Sequence, residues 1–443
     1  MTATAAPPRE RGALRDGIPP GPNLPPALST ARWMVRPTAY MEECRRRYGD
    51  VFSFPIVREG RWVLVADPDD VKRVFQASPE ALRAGEANAV LGPIVGSRSL
   101  LLLDGSRHLE ERRIMLPAFH GERMQSYASI MREAAEAEAA RWPRGEAFPV
   151  WPATQAITLE VIMRAVFGVE GSERLDPLRA ALRELLDWAG ERSRLFLLAF
   201  IGSKRMHRVS AFARATEAVS ELLLEEIRRH RADPRLDERE DILSLLLQAR
   251  YEDGSAMGDD ELRDELVTLL VAGHETTATS LAWTFERLVH HPEVLARLQD
   301  APEDGDYLDA VIKETLRLRP VLPIVVRKVH EPFEVGGWRL PVGSTIAPCI
   351  YLIHRDPRIY PDPLSFRPER FLDRPAGTYT WLPFGGGVRR CIGASFALFE
   401  MKEVLRTLLP LWDLSAAGAP ERIVRRTITY VPQHGARILA TPR

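Results

Sequence analysis

The chain has 443 residues, of which 45% are hydrophobic and 27% charged, a composition typical of a globular protein with enough apolar material for a large core. Its 60 basic and 61 acidic residues nearly balance, which excludes an acidic disordered chain and argues against a general nucleic-acid binder. The three cysteines cannot all pair, so the sequence predicts a reducing, cytoplasmic location without a disulfide framework. We interpret Cys44 and Cys349 as small buried hydrophobic residues.

The N-terminal residues lack the apolar segment of a secretory signal, and no run of 18 apolar residues occurs in the chain. We therefore expect no transmembrane anchor. Residues 1–17, rich in Ala, Pro and Arg, predict a disordered tail, and residues 18–443 a single domain. The apolar run Leu195–Ile201 is too short to span a membrane. We interpret it as a packed helix end, with a membrane contact or a flexible apolar entrance as alternatives.

In chain order, the first regular elements predict a β-hairpin. Val51–Val57 and Trp62–Val65 are rich in β-branched and aromatic residues and flank a turn that contains glycine. Asp67-Pro68 predicts the start of a helix, because proline fits the first helical turn. Residues 78–103 contain several Gly and Ser and show no steady period, which predicts a long loop of the kind that usually has a function.

From residue 107 to 290, apolar residues recur at helical spacing. The predicted helices include Met124–Arg141, Ile157–Val166, Leu178–Leu186, Ala211–His230 and Ile242–Ala249. Asp259–His290 predicts one long helix of roughly 48 Å, ended by Pro292. Short strands follow, at Phe333–Val335 and Ser344–Pro348, and then a helix at Gly393–Leu409. The sequence therefore predicts one large, mainly α domain with a minor β part.

Residues 384–393 read FGGGVRRCIG and place Cys391 directly before a predicted helix. The glycines allow backbone conformations with positive φ. The helix N-terminus, together with Arg389 and Arg390, favours an anion, so the pattern predicts a thiolate at Cys391. No Cys or His lies at zinc-site spacing, which excludes a structural zinc site. The thiolate is then either a nucleophile or the single axial ligand of a haem iron.

This loop resembles the haem-binding signature of the cytochrome P-450 family. The five signature positions are Phe384, Gly387, Arg389, Cys391 and Gly393. Three other segments agree with the family in order and spacing, namely Glu314-Thr-Leu-Arg317, Phe366-Arg-Pro-Glu-Arg-Phe371 and Ala272-Gly-His-Glu-Thr-Thr277. The resemblance covers residues 18–440. It implies a fold shaped as a triangular prism, with the long helix over haem b, and it assigns Phe384, Gly385 and Gly393 to the haem loop.

The resemblance also implies two sets of charged residues. Glu314, Arg317 and Arg370 form a buried structural network that holds the cysteine loop, whereas an exposed Glu–Arg pair at this spacing would contribute only about 0.3–0.5 kcal/mol. The haem propionates need cationic partners, and arginine suits them because its planar fork meets carboxylates bidentately. The candidates are His108, Arg112, Arg327 and Arg389. Arg107 and Arg113 are expected on the surface.

The centre of the long helix is the candidate oxygen-binding groove. Gly273 weakens the helix, and a threonine hydroxyl there can bond the carbonyl four residues back and bend it. A tolerated kink in a core helix is the alternative. The resemblance implies that Ala272 and Gly273 border the groove, that Gly273 permits close approach of oxygen, and that Glu275 and Thr276 supply protons. The His274-Glu275 pair is not a zinc-protease motif, since residue 278 is alanine.

The function implied by the resemblance is a monooxygenase that inserts one atom of O₂ into a lipophilic small molecule and releases the other as water. The chain carries no flavin or nicotinamide fingerprint, so we expect a separate ferredoxin or flavodoxin, with its reductase, as the electron donor. Such donors are acidic, and the basic face expected to receive them consists of Arg112, Arg113, Arg389 and Arg390, with Lys402 at its edge. We expect a monomer.

The substrate pocket is expected to draw on residues 83–102, 195–205, 266–277, 321–326 and 430–433. Its apolar side chains favour a lipophilic substrate such as a terpenoid, steroid, fatty acid or polyketide, without selecting among them. These side chains are Leu91, Val95, Leu269, Ala272, Leu322, Ile324 and Val325.

Two other classes of protein stay open. The first is a haem-thiolate enzyme that uses peroxide or isomerises its substrate, against which the acid–alcohol pair Glu275-Thr276 argues. The second is a haem-binding sensor without enzymatic activity, for which the sequence offers no output domain.

Overall fold

The computed structural model describes residues 14–119, 121, 123–168, 173–190 and 209–443, and the statements below concern these residues. The helices are α1 Pro26–Val35, α2 Pro37–Tyr48, α3 Pro68–Gln76, α4 Ala84–Ala87, α5 Gly92–Val95, α6 Gly105–Met115, α7 Arg123–Ala139, α8 Trp151–Phe167, α9 Asp176–Gly190, α10 Ser210–Arg231, α11 Ile242–Gln248, α12 Asp259–Val289, α13 Pro292–Asp300, α14 Gly305–Leu318, α15 Ile350–Ile353, α16 Arg370–Asp373 and α17 Ala394–Leu408.

The strands are short. They are β1 Arg15–Asp16, β2 Val51–Ile56, β3 Gly60–Val65, β4 Leu82–Arg83, β5 Ala147–Pro149, β6 Arg327–Val329, β7 Phe333–Val335, β8 Trp338–Leu340, β9 Thr345–Pro348, β10 Trp412–Ala416, β11 Ile423–Arg426, β12 Thr429–Pro432 and β13 Arg437–Pro442. They form a five-stranded sheet in the order β2-β3-β9-β6-β4, the three-stranded sheets β1-β8-β7 and β10-β13-β5, and the hairpin β11-β12. The mainly α fold with a minor β part is confirmed.

The five-stranded sheet is buried on both faces. Strand β3 pairs with β2 in the antiparallel direction, as the hairpin prediction required, and with β9 in the parallel direction. Its side chains alternate, because successive residues of a strand point to opposite faces. Leu64 packs with Phe54 and the residues of α1 and α2, whereas Val63 and Val65 pack on the other face. Arg327 stands at the start of β6, so this sheet sets the position of a residue that is expected to bind a haem propionate.

Helix α12 forms the centre of the helical part. It has the predicted N-terminus and ends one residue before the predicted His290. Glu261 accepts a hydrogen bond from the Gly258 N–H at 2.9 Å, which caps the first turn. Helix α8 packs alongside, and its Thr154 hydroxyl donates to the Ala278 carbonyl at 2.9 Å. This hydrogen bond holds α8 in register beside the centre of α12.

Several boundaries differ from the sequence-based expectation. Residues 78–103, predicted as a loop, contain the short helices α4 and α5. Arg15 and Asp16, placed in the tail by composition, pair with β8, so the predicted tail 1–17 is too long at its C-terminal end. The segment Leu195–Ile201 lies outside the described residues. Within the described ranges, no helix combines the length and the apolar composition needed to cross a membrane.

Glu314 and Arg317 of α14 are fully buried and joined by two hydrogen bonds, of 2.6 and 2.8 Å. Glu314 also accepts from Arg370 Nε and from the Arg367 backbone N–H, both at 2.9 Å. The geometry therefore corresponds to the buried network and not to an exposed pair. Glu314 Oε2 thus bonds Arg317 within α14, and Oε1 also ties α14 to the chain around α16.

The network reaches the cysteine loop through a residue that the sequence did not point to. Arg317 donates to the carbonyls of His354 and Pro363 at 2.6 and 2.7 Å. The buried His354 ring accepts from the Leu382 N–H through Nε2 at 2.8 Å. Leu382 lies two residues before the loop 384–393, so the ion pair and the loop are joined by one imidazole.

We predict that Glu314→Ala yields little folded, haem-loaded protein. The substitution leaves two guanidinium groups without their carboxylate, which costs about 3–5 kcal/mol out of a total stability of about 5–15 kcal/mol. Urea unfolding and haem content after expression measure the effect. The control is Glu334→Ala, which removes the exposed partner of Arg339 and should cost less than about 1 kcal/mol. Equal stability of the two variants would contradict a structural role for the network.

Candidate functional site

The cysteine loop follows a path that only glycine allows. Gly385 and Gly387 have φ angles of 68° and 65°, in the left-handed region that side chains disfavour. A Cβ on Gly387 would lie 2.1 Å from the carbonyl oxygen of Phe75, and one on Gly386 would lie 2.7 Å from the Phe75 ring. The glycines thus serve both the turn and the close approach of α3.

Cys391 lies two residues before Gly393, the N-cap residue of α17. Its backbone N–H donates to the Phe384 carbonyl at 2.9 Å, which closes the loop. The Cys391 side chain is accessible although protein surrounds it on nearly all sides, so it faces an internal space and not the outer surface. Cys44 and Cys349 are buried and unpaired, as expected.

Burial raises the pKa of the Cys391 thiol above its ordinary value. A hydrogen bond from the Gly393 N–H and the charges of Arg112 and Arg390 lower it, but by less. The Gly393 N–H and the charge of Arg390 thus act as expected, in favour of the thiolate, while Arg112 takes the place of Arg389 as the second nearby cation. A bound metal ion deprotonates its thiol ligand, so the thiolate form depends on the metal.

The four candidate partners of the propionates lie close together. His108 is 2% exposed, and burial together with repulsion by three guanidinium groups lowers the pKa of its imidazole to about 3. These groups belong to Arg389, Arg112 and Arg327. Burial and the charge of Arg389 likewise lower the pKa of Arg327 to about 10. The structure thus brings together residues from α6, β6 and the cysteine loop.

This cluster fits an anionic ligand. The only hydrogen bond that the Arg327 guanidinium forms within the described chain goes to the Val326 carbonyl, at 2.8 Å. The Nδ1 atom of His108 is buried and lacks a partner there as well. Among the described residues, Asp104 pairs with Arg389 and acts at longer range on Arg327, and no carboxylate pairs with Arg112, so positive charge is in excess. Two propionates would offset that excess, and the residues present therefore fit haem.

Arg389 also has a bracing role. It donates to Asp104 at 2.7 Å and to the carbonyls of Leu100 and Leu103. Asp104, which the sequence analysis did not single out, accepts the N–H groups of Gly85 and Glu86 at 2.8 and 2.9 Å. Arg389 therefore joins the cysteine loop to both ends of the segment 84–104.

The middle of α12 is open although its two flanks are buried. Ala272 is exposed, and Glu275 and Thr276 are partly exposed. The Thr276 hydroxyl donates to the Ala272 carbonyl at 2.7 Å, as its position four residues later predicted. A Cβ on Gly273 would lie 3.2 Å from Ile162 of α8. The glycine therefore allows α8 to pack closely against α12, while Ala272 is the exposed position beside it.

Glu275 is held by polar groups of two other elements. Gln155 of α8 donates to it at 3.0 Å, and Arg426 of β11 lies 3.9 Å away. Burial raises the pKa of Glu275, while Arg426 and Gln155 act in the opposite direction. Burial lowers the pKa of the neighbouring His274 to about 4, and its Nδ1 atom is bonded to the Thr158 hydroxyl at 2.9 Å. His274 is therefore a neutral core residue and not a ligand.

A family profile described as Cytochrome P450 matches residues 19–438. This chain belongs to the cytochrome P450 family. It is 42% identical over 439 residues to cytochrome P450 135B1 of Mycobacterium bovis, covering 96% of this chain and 92% of that protein. It is 39% identical over 454 residues to cytochrome P450 138 of Mycobacterium tuberculosis, covering 100% and 99%.

Solved P450 structures share the fold. The retinoic acid bound cyanobacterial CYP120A1 matches with a TM-score of 0.84 and 22% identity, over 97% of this chain and 100% of that one. The cytochrome P450DA heme domain matches with a TM-score of 0.83 and 24% identity, over 98% and 99%. The family consists of haem-thiolate oxidoreductases, which are monooxygenases in general, so the cofactor of this P450 is haem b, and the sequence-based recognition is confirmed.

Proposed function

We propose that this P450 inserts one oxygen atom from O₂ into a lipophilic small molecule, by hydroxylation or epoxidation, with electrons from a separate carrier protein. The observation that carries the proposal is the open stretch of α12, which places an acid and an alcohol in an otherwise buried helix. Enzymes that take their oxygen from peroxide have no need of an acid–alcohol pair for proton delivery, so the pair favours the O₂-dependent reaction.

Cys391 is proposed as the single axial ligand of the haem iron. It is the accessible cysteine of the chain, and it lies beside Arg112, which belongs to the cationic cluster. His108, Arg112, Arg327 and Arg389 are proposed to bind the propionates, and Phe384, Gly385 and Gly393 to shape the loop around the ligand. When bound, the haem supplies the activation of O₂, with thiolate ligation favouring O–O cleavage.

Glu275 and Thr276 are proposed to deliver the protons that this reaction consumes. The Glu275 carboxyl is buried enough for its pKa to be raised, which suits a group that takes up and passes on a proton near neutral pH. The Thr276 hydroxyl, bonded to the Ala272 carbonyl, stands at the exposed part of the helix. Ala272 forms part of the wall of the same groove.

The substrate class is proposed as lipophilic because the segments expected to form the pocket are apolar. Leu322, Ile324 and Val325 are partly exposed, whereas Val95 and Leu269 are buried in the core. Residues 195–205, also expected to line the pocket, lie outside the described residues. Apolar walls with few polar groups bind apolar ligands.

We predict that Thr276→Ala uncouples the enzyme while haem and substrate binding persist. Loss of the hydroxyl disorders proton delivery, so reductant and O₂ are consumed, product per electron falls by about tenfold, and hydrogen peroxide rises. Product, peroxide and reductant are measured together in one assay. Thr276→Ser keeps the hydroxyl and should stay close to wild type. Unchanged product per electron in the alanine variant would leave Thr276 with a role in helix geometry alone.

The face proposed for the electron carrier differs from the expected one. Lys402 is paired with Asp309 at 2.5 Å, Arg113 with Glu252, and Arg389 with Asp104. Of the five residues expected to form the face, Arg390 is therefore the exposed one that has no carboxylate partner in the described chain.

Helix α3 adds to this face. Its Phe75 packs against Gly386 and Gly387 of the cysteine loop, while Lys72 and Arg73 point outward without an acidic partner among the described residues. We therefore propose Lys72, Arg73 and Arg390 as the basic surface that an acidic ferredoxin or flavodoxin would contact.

We predict that the double variant Lys72→Glu/Arg73→Glu weakens binding of an acidic ferredoxin on the order of tenfold, mainly through slower association. Stopped-flow reduction at increasing ferredoxin and salt concentration measures this, and dithionite reduction checks that the haem itself is unchanged. Arg235→Glu, a charge reversal in the exposed turn after α10, is the control. Equal association rates for the two variants would remove α3 from the docking surface.

A further inference from the structure

Arg426 connects three elements at one corner of the molecule. Its guanidinium lies 3.9 Å from Glu275 of α12 and 3.4 Å from Asp187 of α9. It also stacks over the Trp151 ring of α8, with 4.8 Å between the guanidinium carbon and the ring centroid. The Arg426 side chain is 17% exposed, whereas that of Asp187 is 81% exposed. Arg426 therefore lies between the exposed carboxylate of Asp187 and the nearly buried carboxyl of Glu275.

A glycine makes room for this arrangement. A Cβ on Gly190, the last residue of α9, would lie 2.1 Å from Arg426 Nε and 2.4 Å from Nη2. Any other residue at position 190 would displace the guanidinium from its place beside Glu275. This glycine has an ordinary backbone conformation, so the close approach and not a turn explains it.

A cavity of about 550 Å³ adjoins Arg426. Its walls come from the start of α8, the end of α9 and the hairpin β11-β12, and they include Trp151, Gly190, Arg426 and His434. The cavity is large enough to hold water molecules, and both polar and apolar groups line it. Arg426 lines this cavity and lies 3.9 Å from Glu275, which is not among the lining residues, so its guanidinium is the contact between the two.

The Glu275 carboxyl faces few other polar groups. Gln155 of α8 donates to one oxygen, and the other oxygen, Oε1, is buried without a hydrogen-bond partner in the described chain. Asp187 of α9 acts as a more distant negative charge, and the adjacent His274 is bonded to Thr158. Arg426 is thus the only cation among the described residues that acts on this carboxyl at close range.

We propose that Arg426 is a positioning residue for proton delivery: it orients the Glu275 carboxylate toward the groove of α12 and connects it with the water-holding cavity between α8, α9 and the hairpin β11-β12. This inference rests on the proposed oxygenase function, in which Glu275 passes protons inward. Arg426 donates no proton itself. Its charge keeps Glu275 able to release a proton, and its place beside the cavity brings solvent water within reach of that carboxyl.

The direction of the effect follows from the charges. A cation within about 4–6 Å of a carboxyl stabilises the ionised form and lowers the pKa by about 1–3 units. Removing the Arg426 charge therefore leaves Glu275 protonated up to a higher pH. A carboxyl with a higher pKa is a weaker proton donor, so proton transfer slows where Glu275 stays protonated, and product per electron begins to fall at a higher pH than in wild type.

The test compares four variants with wild type. Arg426→Gln removes the charge, Arg426→Lys retains it, and Gly190→Ala displaces the guanidinium while leaving the charge in the protein. Arg422→Gln is the control, since Arg422 is an exposed arginine directly before β11 that does not line the cavity. The first readout is the infrared carboxyl band of protonated Glu275, followed with pH and assigned by its loss in Glu275→Gln. The second is product per electron against pH.

In Arg426→Gln we expect the Glu275 titration and the acidic limb of coupling to move upward together by about one pH unit or more, with a smaller shift in Gly190→Ala. Arg426→Lys and Arg422→Gln should stay near wild type. An unchanged Glu275 titration in Arg426→Gln would overturn the inference, as would a variant that is merely less stable with normal coupling. If wild-type protein consumes no O₂ with reductant, the proposed function fails, and the infrared titration still decides the role of Arg426.

Discussion

A guanidinium that is fully removed from water needs compensation on every side, and Arg317 receives it from Glu314 and three backbone carbonyls. Those carbonyls belong to the segment that leads toward α16, and His354 continues the contact to Leu382. The geometry of the cysteine loop therefore depends on the burial of one ion pair some 70 residues earlier in the chain. An unpaired buried charge is costly, so the loss of one partner is expected to destabilise the whole network and not a single contact.

The cationic cluster, in contrast, holds buried charges that the described chain compensates only in part. Arg112, Arg327 and Arg389 place more positive charge in a buried region than Asp104 offsets, and burial together with this excess lowers the pKa of His108. Such a region is unfavourable in the protein alone and becomes favourable when anionic groups enter it. On the proposed assignment of the propionates to this cluster, haem binding would supply stability that the polypeptide lacks and would couple cofactor retention to the integrity of the segment 84–104.

How much of the structure the sequence predicts depends on how far apart along the chain the interacting residues lie. Helix α12 and the β2–β3 hairpin were predicted nearly to the residue, because their periodic patterns are local. The signature loop was recognised because its glycines and Cys391 lie within ten residues. His354 and Asp104 carry no local pattern, since their partners lie far away along the chain. Burial, which raises the pKa of the Cys391 thiol, could not be weighed from the sequence, whereas the nearby charges that lower this pKa can be counted in it.

The central claim is that Cys391 ligates the haem iron as a thiolate. The most direct measurement is the absorption spectrum of the reduced carbon monoxide complex of the wild type, of Cys391→Ser and of the control Cys44→Ala. A serine hydroxyl is a far weaker donor and is protonated at neutral pH, so we expect the thiolate-type spectrum in the wild type and the control and its loss in Cys391→Ser. A thiolate-type spectrum that persists in Cys391→Ser would contradict the account.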